Sequence, residues 1–183
     1  MNFKEIGIPT IKLFVIATVV TILLFLTNNT TEGKIAENQA QADIISRQEV
    51  LPSAEGFEEA TGKLADGTEF TYFEATNGTG YVFSGSNKGY GGDVVSMIGI
   101  DTEGNITGVK VTEQSETAGL GAKWIDPAHT EQFISKTADG ALAVEKDGGD
   151  IVAVAGATIT SRAVTADVNN AIEMFKAVTG GAN

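Results

Sequence analysis

The stretch DVVSMIGI-DTEGN-ITGVKV, Asp93–Val111, decides the fold class. Two runs rich in apolar and β-branched residues, Asp93–Ile100 and Ile106–Val111, flank the turn-forming segment Asp101–Asn105. This reads as a β-hairpin, so the strands on either side run antiparallel. Two shorter β-like runs precede it, Phe70–Glu74 and Gly80–Ser84, flanked by the turn signals Asp66-Gly67 and Asn77-Gly78. A helical stretch follows at Pro127–Ile134, where proline suits the first turn. Ala141–Glu145 and Ile151–Val154 read as two more strands around Asp147-Gly148-Gly149. The last element is the clearest helix. Val164, Val168, Ala171, Ile172, Phe175 and Val178 form one stripe at 3.6-residue spacing, and Gly180-Gly181 ends it. The mixture predicts an α+β domain with a mainly antiparallel sheet.

Upstream of this domain, Ile6–Leu26 (IGIPTIKLFVIATVVTILLFL) is apolar enough to cross a bilayer. Its 21 residues span roughly 31 Å as a helix. Lys12 is placed to snorkel back to the interface. The following TNNTTEGK offers no small-x-small cleavage site, so a retained anchor is expected rather than a signal peptide. Lys4 and Lys12 precede the densest apolar block, Leu13–Leu26, and acidic residues dominate after it. The positive-inside rule then puts the N-terminus in the cytoplasm and residues 28–183 outside. Residues 28–50 keep Ala36, Ala40 and Ile44 four apart, a helical stalk that Leu51-Pro52 stops. The expected organisation is therefore 1–27 for the N-terminus and transmembrane helix, 28–53 for the stalk and 54–183 for the globular domain.

Charge and composition remove whole classes of function. The chain carries 12 basic and 24 acidic residues, a formal net charge of −12. A surface this acidic repels phosphate backbones and argues against nucleic-acid binding. No cysteine is present, so no disulfide, Cys-ligated zinc or Cys-ligated iron–sulfur cluster can form within the chain. The single histidine, His129, leaves no His-rich metal site and little room for Ser/His/Asp catalysis. Glycine, at 22 of 183 residues, is well above its usual share of about 7%.

Three glycine-containing segments stand out. Ala155-Gly156-Ala157-Thr158-Ile159-Thr160-Ser161 joins a buried strand to the final helix and puts three hydroxyls at the helix N-terminus. Free N–H groups and the helix dipole favour an anion such as a phosphate there. The plain alternative is helix capping, with Thr160 or Ser161 capping a helix that runs from Arg162 onward. Gln114–Lys123 (QSETAGLGAK) follows a strand and either wraps a planar ligand or is simply a flexible loop. Ser84–Gly92 (SGSNKGYGG) sits between strands.

Taken together, these motifs resemble the G subunit of the Rnf electron-transport complex, a relative of the C subunit of the sodium-pumping NADH:quinone reductase. Gly156-Ala157-Thr158-Ile159-Thr160-Ser161 is similar to that family's flavin-attachment motif. Glu116-Thr117-Ala118-Gly119-Leu120-Gly121 resembles its E-T-P-G-L-G loop, with Ala118 at the proline position, and Gly89-Tyr90-Gly91-Gly92 its G-Y-G-G segment. Ala155 and Val152 stand where family members carry a hydroxyl and an acidic residue.

The resemblance implies an external FMN-binding domain on an N-terminal membrane helix, with FMN joined through its phosphate to Thr158. It assigns the flavin surroundings to Gly156, Ala157, Thr160, Ser161, Glu116, Thr117, Gly119, Leu120, Gly121 and Tyr90. It also implies a redox subunit that relays electrons between ferredoxin and NAD in an ion-translocating complex, without side-chain catalysis of its own. The implied partners are the other Rnf subunits and a flavin transferase that uses FAD. Two other readings compete with it: an anchored FMN domain of a different extracytoplasmic electron route, and a pilin-like structural protein. Glu5 favours the pilin outline, whereas Pro9, Lys12 and the glycine motifs oppose it.

Overall fold

A computed structural model describes residues 3–138 and 140–180. Two compact units are present, Met1–Asp43 and Ile44–Asn183. Helix α1, Phe3–Val50, provides the first unit and the opening turns of the second. In the first unit the apolar side chains from Ile8 to Leu26 are exposed. Among the described residues this is the one helix long and apolar enough to cross a membrane. Its threonines are suited to lipid. Thr18, Thr21 and Thr27 each donate their hydroxyl to the carbonyl four residues back, at 2.8 Å, which satisfies the group without water.

The second unit holds a five-stranded meander: β1 (Phe57–Lys63), β2 (Glu69–Ala75), β3 (Gly80–Lys88), β4 (Asp93–Asp101) and β5 (Ile106–Glu113). Each strand pairs antiparallel with the next. The Asp93–Val111 hairpin is therefore the β4–β5 pair, with Ile98 opposite Val109. After the sheet comes a short helix, α2 (Pro127–Thr130), with Pro127 in its first turn and the Asp126 carboxylate capping Ala128 N–H at 3.0 Å. Helix α3, Thr158–Thr179, lays Val164, Val168, Ala171, Ile172 and Phe175 on one face of the sheet, against Phe83, Val94, Ile98 and Ile100. The opposite face is covered by Val50, Leu51 and Ala54, packed on Val82 and Met97. Thr107 donates its hydroxyl to the Val50 carbonyl at 2.5 Å, and Arg47 stacks its guanidinium on the Phe73 ring. Helix α1 stops at Val50, since Pro52 disfavours helical backbone at Leu51.

The fold departs from the sequence reading at three points. First, Ala141–Glu145 and Ile151–Val154 are not strands; one parallel bridge, Val144 to Ile151, is all that pairs them. The apolar positions do mark burial, since Val144, Ile151 and Val154 are in the core. Their backbone, however, is satisfied largely outside a ladder. The Asn169 amide brackets the N–H and C=O of Leu142, both at 2.8 Å, and the Gln132 amide does the same for Val152. Second, β1 has no apolar alternation to reveal it. It is an edge strand bearing Glu58, Glu59 and Lys63, charges that keep an open edge from pairing with another chain. Third, the final helix starts at Thr158 with Ala157 as its N-cap, so Thr160 and Ser161 lie inside the first turn and cap nothing.

Candidate flavin site

Helix α3 begins where the chain turns sharply through Val154–Ala157. Ala157 N–H donates to the Val154 carbonyl at 2.9 Å, and Gly156 takes a left-handed φ of 79° that a side chain would strain. This turn delivers three hydroxyls into different surroundings. Ser161 is fully buried: its Oγ accepts from Trp124 Nε1 and from Val154 N–H, both at 3.1 Å, and donates to the Ala157 carbonyl at 2.8 Å. Thr160 is 1% exposed, and its hydroxyl donates to Glu116 Oε2 at 2.7 Å. Thr158 is half-buried and opens onto a cleft.

The cleft has a volume of about 580 Å³, within the roughly 300–1,000 Å³ usual for small-molecule sites. Four segments line it, and three of them meet at one residue: the α3 turn, the loop after β5 and the β3–β4 turn. Glu116 ties them together. One carboxylate oxygen takes the Thr160 hydroxyl, and the other accepts from Gly91 N–H at 2.9 Å. Gly121 lies under the same junction. A Cβ there would stand 2.5 Å from Glu116 Oε2 and 2.6 Å from Thr160 Oγ1, so only glycine leaves the bond intact. Tyr90 (76% exposed), Leu120 and Ile159 present apolar surface at the cleft. Such surface suits a planar ring, and the first-turn N–H groups of α3 have no intrahelical partner.

The structure brings Tyr90, Glu116, Thr117, Leu120, Gly121, Gly156, Ala157, Thr158 and Thr160 to this one cleft. Gly119 and Ser161 are not among its lining residues. Gly119 sits at a left-handed φ of 79° with open space where a Cβ would be, and Ser161 is committed to Trp124 and the backbone. Two lining residues escaped the sequence reading, Ile159 and Lys146. Lys146 donates from Nζ to Thr158 Oγ1 at 2.9 Å. It belongs to a 3-10 turn, Glu145–Asp147, which Arg162 grips through two bonds to Asp147, at 2.7 and 2.6 Å. The Arg162 guanidinium holds the Asp147 carboxyl below its usual range. No spacing signal in the sequence links residue 146 to residue 158.

Comparison with known proteins identifies the family. Residues 89–173 match the FMN-binding domain family. The G subunit of the Na(+)-translocating ferredoxin:NAD(+) oxidoreductase complex of Acetobacterium woodii is 38% identical over 184 residues, covering 90% of this chain and 88% of that relative. The G subunit of the ion-translocating oxidoreductase complex of Methanosarcina acetivorans is 33% identical over 186 residues, 97% of this chain and 98% of its own. Among solved structures, the C subunit of the Na(+)-translocating NADH-quinone reductase of Parabacteroides distasonis superposes with a TM-score of 0.54 at 27% identity. That superposition covers 63% of this chain and 65% of the other. At 38% and 33% identity over nine-tenths or more of its length, the chain belongs to the family of G subunits of ion-translocating oxidoreductase (Rnf) complexes.

Proposed function

We propose that this chain is a membrane-anchored flavoprotein subunit that carries FMN covalently on Thr158 and relays electrons within an ion-translocating ferredoxin:NAD oxidoreductase. One observation carries the assignment of Thr158. Of the three hydroxyls at the start of α3, Thr158 alone is accessible, while Thr160 and Ser161 are buried and donate to Glu116 and to the Ala157 carbonyl. Among the described residues no acceptor takes the Thr158 proton. The surroundings fit a flavin phosphate: an ammonium at the hydroxyl, helix N–H groups beside it, and apolar surface on Tyr90, Leu120 and Ile159.

Attachment balances as a phosphoryl transfer from FAD. Thr158 Oγ1 forms a bond to the flavin-side phosphorus, the anhydride bond breaks, AMP leaves, and the hydroxyl proton passes to a base on a separate flavin transferase. When bound, FMN supplies the redox chemistry. The chain's own residues position the ring and hold its phosphate. Lys4 and Lys12, ahead of the densest apolar block, support an extracytoplasmic domain, which protease added to intact spheroplasts removes. Protection until lysis reverses that orientation. The attachment is tested by expressing the chain with the transferase. Wild type keeps flavin fluorescence on a denaturing gel and Thr158→Ala loses it; a fluorescent Thr158→Ala band defeats the assignment.

A further inference from the structure

Lys146 is the one cation among the described residues that line the cleft, in a chain of formal net charge −12. An exposed lysine between Glu145 and Asp147 would ordinarily lean toward one of them for a weak ion pair. Here Asp147 is taken by the Arg162 fork, and the Lys146 ammonium is aimed at a neutral hydroxyl instead. The mount is specific. Arg162 lies one helical turn after Thr158, so the helix that presents the hydroxyl also grips the turn that carries the ammonium. Gly148, left-handed at φ 87°, ends that turn directly after Asp147.

From this geometry we infer that Lys146 is the phosphate-recognition residue of the cleft, held over Thr158 by the Arg162–Asp147 pair. It selects flavins that bear a phosphoryl group. The inference rests on the reading of Thr158 as the attachment site. Once Oγ1 becomes a bridging ester oxygen it is a poor acceptor, and the three ammonium protons turn to the non-bridging oxygens, where the single remaining negative charge resides. A compact ammonium on a flexible stem can follow that change without moving the backbone.

The test uses the full-length chain expressed without the transferase, titrated separately with FMN and with riboflavin, followed by flavin fluorescence. With Lys146 intact, FMN binds roughly tenfold tighter than riboflavin, as a charge-assisted contact to phosphate implies. Lys146→Met brings the two affinities together by weakening FMN alone, Lys146→Arg keeps most of the preference, and Asp147→Asn lowers it in part. An unchanged melting temperature in Lys146→Met shows that the fold is intact. A Lys146 chain that binds FMN no better than riboflavin overturns the inference, and so does a Lys146→Met chain that keeps the preference. A flavin adduct mapped away from Thr158 instead defeats the attachment reading on which the inference stands.

Discussion

Thr160 donates its hydroxyl to Glu116 across the base of the cleft, at 2.7 Å, joining the first turn of α3 to the loop after β5. Because the other Glu116 oxygen holds Gly91 N–H, this single carboxylate joins three of the segments that line the cleft. Thr160, although part of the same motif as Thr158, thus acts as a strut.

Two substitutions therefore produce the same defect by different routes. Glu116→Ala leaves the Thr160 hydroxyl and the Gly91 N–H without their acceptor, and in this partly solvated place costs about 1–2 kcal/mol. Gly121→Ala forces its Cβ into the bond itself. Each shifts the visible flavin spectrum while attachment persists. The double variant is little worse than the more damaging single one, since both remove one interaction. Additive losses in chemical denaturation contradict the shared route.

Ser161 and Thr158, three residues apart, separate structure from attachment. Ser161→Ala strands two buried donors, Trp124 Nε1 and Val154 N–H, at a cost of about 3 kcal/mol, yet keeps the flavin. Thr158→Ala changes stability by no more than about 0.5 kcal/mol, as a partly exposed position should, yet loses the flavin. Denaturant midpoints and in-gel fluorescence read the two effects side by side. The opposite pattern reverses the roles.

Asp167 predicts a pH dependence with a definite sign. It is fully buried on α3, and its carboxyl accepts from Ser96 Oγ at 2.6 Å and Asn87 Nδ2 at 2.8 Å. Burial raises its pKa from 3.8 to about 6, while the bonds from Ser96 and Asn87 oppose the shift. The folded state holds this proton more tightly than the unfolded chain. Its contribution to stability is therefore full below about pH 4 and is lost as pH rises through about 6. The loss is of the order of 3 kcal/mol. Asp167→Asn keeps an acceptor for Asn87 and a donor for Ser96, so wild type minus variant falls between pH 4 and 6 and is flat above. A difference that rises over that range contradicts the burial argument.

Much of this architecture was legible before any coordinates. The β4–β5 hairpin announced itself because two apolar, β-branched runs flank a five-residue turn in Asp93–Val111, and the α3 stripe because one helical face is apolar for about four turns. What stayed hidden has a common cause, the replacement of backbone partners by side chains. Leu142 and Val152 look like strand residues in sequence, and only Asn169 and Gln132, distant in the chain, make their extended backbone tolerable. β1 was hidden by its edge position, where charge is protective and apolar alternation unnecessary. Lys146 was hidden because an exposed lysine carries no pattern, and its place at Thr158 depends on Arg162 folding back onto Asp147. The role of Thr158 itself came from family resemblance. The physical separation of the three hydroxyls by burial needed the fold.

The most direct measurement is peptide mass mapping of the chain after co-expression with the flavin transferase. This account predicts one FMN-sized mass increase, joined through a phosphoester, on Thr158. The same increase on Thr160 or Ser161, or a chain that leaves the transferase unmodified, would contradict it.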